Sequence, residues 1–130
     1  MEEFDTYLRK IEELVERDGS YKFEAYTFVL AALHDTVTRF KKPRHITGAE
    51  LLEGIRRYGL AQFGPMAKTV FNHWGVYRTL DFGKIVFALI DVKLLSQQPE
   101  DKLGDFENIY RFEDAFEQGY EINDDEERNA

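Results

Sequence analysis

The chain offers few side chains suited to chemistry, and their spacing decides what each could do. Its histidines are His34, His45 and His73, and its serines are Ser20 and Ser96. The histidines are too far apart to set two metal ligands on one helical face, since no HxxxH or HxxE spacing occurs. His34 lies on an apolar stretch and His73 beside Trp74, so both read as core or boundary residues rather than ligands. Neither serine has the glycine-flanked setting of a nucleophile elbow. With no cysteine there is no thiolate nucleophile, thiolate metal site or disulfide framework. The motif at Asp81-Phe82-Gly83-Lys84 lacks the glycine-rich and catalytic-loop signatures that would make it part of a kinase. Carboxylates are spread along the chain without a pair that could serve as acid and base. The expectation is no enzyme, no metal and no cofactor.

The strongest remaining signal is basic. Residues 39–57, RFKKPRHITGAELLEGIRR, carry six Lys or Arg side chains in a chain of net charge −8. Charge is divided along the chain: −4 over residues 1–20, +5 over 21–90 and −9 over 91–130. A basic middle suits an anionic partner, while the acidic total opposes non-specific attraction to nucleic acid. Helix punctuation explains much of the stretch. Asp35 with Arg39 and Glu53 with Arg57 are four apart, a spacing worth about 0.2–0.5 kcal/mol per pair. Lys41 and Lys42 follow a helix end, where cations complement the exposed carbonyls. The candidate contacts for an anion or partner are therefore Lys41, Lys42, Arg44 and Arg56.

Several elements must position these residues. Residues 2–17 form an amphipathic helix through Phe4, Leu8, Ile11 and Leu14/Val15, stopped by Asp18-Gly19-Ser20. A second helix, from about Tyr21 to Phe40, repeats Tyr26, Val29/Leu30, Leu33, Val37 and Phe40, and is apolar nearly all round at first. Pro43 closes it. Thr47-Gly-Ala-Glu50 is a capping box that starts a third helix, with Leu51, Leu52, Ile55, Tyr58 and Gly59 inward. Gly64-Pro65 restarts the chain as a short fourth helix to Trp74, with Met66, Val70 and Trp74 on its inner face and Gly75 after it. Thr79 and Asp81 open a fifth, with Phe82, Ile85, Val86, Leu89 and Ile90 inward. Then Val92–Ser96 and Phe106–Phe112, where Phe106, Tyr110 and Phe112 share one parity, read as two strands around a polar loop.

The fold expected is mainly α (α+β): five helices followed by a two-stranded hairpin, resembling a winged helix-turn-helix. Residues 1–116 would be one domain, 46–116 its winged-helix-like unit, and 117–130 an acidic, disordered tail. A winged helix places a helix in the DNA major groove. Here that helix offers Lys84 between Asp81 and Asp91, a poor match to base edges.

The segments AYTFVLAAL, RHITGAELLEGIRR, FGPMAKTV, WGV, DFGKIVFALI and DFENIYRFEDAF, spread over residues 21–116, resemble an uncharacterised conserved protein family of planctomycete and verrucomicrobial bacteria. That resemblance implies a conserved bacterial cytoplasmic domain and assigns no catalytic residue. An acidic opening, MEEFDTYLRK, is unlike a secretory leader, and the most apolar run, Ala25 to Leu33, is far short of a membrane span. The leading functional expectation is a non-catalytic cytoplasmic interaction or regulatory module that binds a protein partner or self-associates. The alternative is a nucleic-acid- or ribosome-associated protein using the basic patch at 41–57; a small enzyme with a hidden carboxylate site comes third.

Overall fold

The computed structural model describes residues 2–42, 44–96 and 102–118. Its helices are α1 (Glu2–Arg17), α2 (Phe23–Thr38), α3 (Gly48–Phe63), α4 (Ala67–His73) and α5 (Thr79–Asp91). Short 3-10 turns lie at Gly64–Met66 and Leu103–Phe106, and a π-helical turn at Glu113–Gln118. None of these helices is long and apolar enough to cross a membrane.

The core forms where α2, α3 and α5 meet. Val29, Ala32, Leu52, Ile55, Ile85 and Leu89 are fully buried there. The crossing of α2 on α3 is close because Gly54 has no side chain. A Cβ there would run into the Thr36 hydroxyl, which donates to the Ala32 carbonyl at 2.7 Å. Ile11 and Leu14 join α1 to this core, while the Phe4 side chain lies outside the described part. At the other end Phe71 sits among six rings, those of Phe28, Phe63, Trp74, Phe82, Phe112 and Phe116.

The predicted hairpin is not there. Among the described residues no strand is present and all the regular structure is helical, so the winged-helix-like unit at 46–116 falls with the hairpin. The first supposed strand is the capped end of α5. Lys93 takes φ +65, its amide donates to the Ile90 carbonyl and the Leu94 amide to that of Leu89. That is a Schellman cap, with a lysine where glycine is usual, and it consumes the backbone groups a strand would need. Gly75, at φ +90, closes α4 in the same way, through Gly75 to Asn72 and Val76 to Phe71. The second supposed strand holds its even-numbered aromatics inside through turns. Phe106 ends a 3-10 turn, and Phe112 and Phe116, four apart, face inward at a helical interval. Of the polar loop read between them at 97–104, residues 97–101 lie outside the described residues, as does most of the acidic segment, from 119 onward.

Two further expectations shift. The Gly64–Met66 turn delays α4 to Ala67, so Ala67 and Phe71 face the core and Met66 is exposed. Helix α5, offered as a recognition helix, is buried on several sides, and its Asp81 lies inside rather than on a surface. A helix enclosed in this way cannot enter a groove. Asp81 accepts the Tyr21 hydroxyl at 2.6 Å and the amides of Tyr77 and Arg78 at 2.9 and 3.2 Å, fixing the start of α5.

Candidate functional site

The capping box at the start of α3 is present as read from the sequence. The Glu50 amide donates to Thr47 Oγ1 at 3.1 Å and the Thr47 amide to Glu50 Oε1 at 2.9 Å. Arg44 adds to it. Its guanidinium grips both Glu50 oxygens, at 3.2 and 2.6 Å, donates to the His45 carbonyl, and lies 3.9 Å from the centre of the Phe40 ring. First the Arg44 guanidinium and then the Thr47 amide hold the Glu50 carboxyl down, from 4.5 to about 2. A depressed carboxylate contributes stability above its unfolded value and loses it as pH falls through the folded one. The difference in melting midpoint between wild type and Glu50→Gln should therefore be full above pH 4.5 and shrink toward zero near pH 2. A difference constant across that window would show that the charge of Glu50 does not matter.

The four candidate contacts are not one patch. Arg44 is committed to Glu50, and Arg56 to Glu53 at 3.0 Å. Arg56, not the anticipated Arg57, takes Glu53, whereas Asp35 and Arg39 pair as expected at 3.2 Å. Arg56 also lies roughly 9 Å further along α3 than Glu50 and on another face, near Tyr110. Lys41 and Lys42 are exposed and, like Arg57, have no partner among the described residues. The basic stretch is thus two arginines locked in place and two free lysines at the turn after α2.

Beside those lysines the core is open. A cleft of about 220 Å³ lies between the C-terminal half of α2, the start of α3 and the C-terminal half of α5. Leu33 and Val37 form one wall, and Val86, Phe87 and Ile90 the other. Ile46, Leu51 and Phe106 line it further, while Arg44, His45, Thr47 and Ser96 are its polar lining residues. Gly48 lets the Phe106 ring approach, since a Cβ there would stand 3.1 Å from that ring. The sequence placed Leu33, Val37, Leu51, Val86 and Ile90 on inward faces without showing that their ends leave a gap. The signal that was available is the apolar pair Leu94-Leu95 just past a helix end.

The other polar groups of the interior are structural. Burial raises the Tyr21 hydroxyl well above the ordinary tyrosine value, and the bond to Asp81 raises it further. Burial does the same to Tyr110, which donates to the Leu52 carbonyl at 2.8 Å. Both stay neutral and act as ties between segments. His34 and His73 are exposed rather than in the core or at its boundary, and His45 is exposed at the cleft. Among the described residues no group of three or more His, Asp or Glu side chains could hold a metal ion.

These features define a protein whose described residues form a helical fold with an apolar cleft bordered by basic residues. Comparison with protein-family models, with curated proteins and with solved structures finds no match.

Proposed function

We propose that the protein is a non-catalytic interaction module whose cleft receives an apolar anchor from a protein partner. The observation that carries this reading is the size and lining of the cleft. Sites for small molecules typically hold about 300–1,000 Å³. At about 220 Å³ the cleft suits one or two large side chains instead. An open apolar recess is where an interface gains its central anchor. Membership of the bacterial family that the sequence resembles, and a cytoplasmic setting, belong to the same proposal.

Affinity capture from the native cell, with and without nuclease, tests it. Val37→Arg and Leu95→Arg each place a cation at a half-buried cleft position, and both variants should keep the wild-type circular dichroism. The expected result is one saturable protein partner, retained after nuclease and lost with both variants. A partner retained by both would place the interface elsewhere. Capture abolished by nuclease would favour the nucleic-acid reading, which Lys41 and Lys42 would then carry.

A further inference from the structure

Resting on the reading of the cleft as a docking site, we infer that its occupant is an acidic amphipathic segment of a partner protein: one or two large apolar side chains seated in the cleft, with carboxylates on either flank. The charges around the cleft support this. The described residues of the turn from 39 to 48 include Arg39, Lys41, Lys42 and Arg44 and no acid; Lys93 stands two residues before Leu95 in the opposite border. Of the described carboxylates nearby, three are held in ion pairs, while Glu107, next to Phe106, is exposed. Glu50 is held by Arg44, Asp35 by Arg39 and Asp91 by Arg17 at 2.7 Å. Asp105, below Gly48, accepts the Lys102 amide at 3.2 Å. Lys41, Lys42, Lys93 and Lys102 are exposed and have no side-chain partner among the described residues.

A chain of net −8 that sets four exposed lysines on the segments bordering its apolar opening favours a partner of opposite sign there and repels a basic one. Like charge facing these lysines would be left unpaired at the rim of a water-excluding contact, which selects against basic amphipathic segments.

The test uses the isotope-labelled full chain and three synthetic peptides. The first carries Leu and Trp anchors with glutamates on both flanks. The second keeps the anchors and replaces the glutamates with lysines, and the third keeps the glutamates and replaces the anchors with serines. The first should shift the methyl signals of Val37, Ile90 and Leu95. Its affinity should weaken by about tenfold in Lys41→Glu/Lys42→Glu, and should fall as salt rises. The second and third should each bind at least about tenfold more weakly than the first. If the second bound as well as the first, the acidic preference would be overturned while the docking cleft stood. If the first moved only signals outside the cleft, the docking reading itself would fail. Residues 119–130 contain Tyr120, Ile122 and five acids, the same chemistry in this chain. Binding seen only after their deletion would assign the cleft to that segment and overturn the inference of a separate partner.

Discussion

Replacing Phe71 with alanine should remove about 3–5 kcal/mol of stability, the largest loss expected from any single truncation here. Phe71 is fully buried, and its ring lies 5.1–6.1 Å from six others. Those separations lie within the range in which aromatic pairs attract beyond their buried area. The ring also fills the space left by Gly59, where a Cβ would stand 2.8 Å from its Cζ. Neighbours fixed on α2, α3, α5 and the 112–116 segment cannot all collapse into one hole. A domain of this size has a total stability of about 5–15 kcal/mol, so the loss is a large share of it. The melting midpoint should fall by roughly 10 °C or more. Hydrogen exchange should quicken first at residues 110–116, because Phe112 and Phe116 bind that segment to Phe71. Phe71→Leu, which keeps more of the volume, should cost clearly less. A midpoint for Phe71→Ala within about 3 °C of wild type would mean that the ring cluster does not hold the end of the chain.

The five helices were legible because each carries its own local signal. Capping at Thr47 and Glu50, the glycine after α4 and the inward faces of α3 and α5 depend on neighbours within about one turn, and the structure keeps all of them. The region after α5 was not legible for two physical reasons. A lysine at a left-handed cap gives no glycine to mark it, so Val92–Ser96 looked like a strand rather than a helix end. Alternating burial of Phe106, Tyr110 and Phe112 is also produced by consecutive turns whose hydrogen bonds run to other elements, here Phe106 and Ile109 to Thr79 and Tyr110 to Leu52. The basic stretch was partly legible. Spacing revealed Asp35 with Arg39, but Arg44 with Glu50 depends on how the turn folds over the start of α3. The cleft was hidden, because its facing walls come from α2 and α5, helices distant in the sequence.

Gly83→Ala should destabilise the protein by about 1–3 kcal/mol even though alanine favours a helix by about 1 kcal/mol over glycine. Gly83 lies in the middle of α5 under Phe106, and a Cβ there would stand 2.6 Å from the Phe106 Cβ and 2.7 Å from its Cγ. Those are the near atoms of the side chain, so rotating the ring does not relieve the clash. The Phe106 backbone has to move, yet its carbonyl accepts the Thr79 hydroxyl at 2.6 Å, and Thr79 Oγ1 in turn accepts the Ile109 amide at 3.1 Å. Overpacking at such a site outweighs the gain in helix propensity. The displacement should also be felt in the cleft, because the Phe106 ring lines it and packs edge-on against Phe87. Gly104→Ala is the matched control: a Cβ there meets nothing within 4 Å, so its stability should stay within about 0.5 kcal/mol of wild type. Chemical denaturation of the two variants separates the outcomes. If Gly83→Ala proved as stable as Gly104→Ala, Phe106 would not be pinned against α5, and the cleft would lack the fixed wall that an anchoring side chain requires.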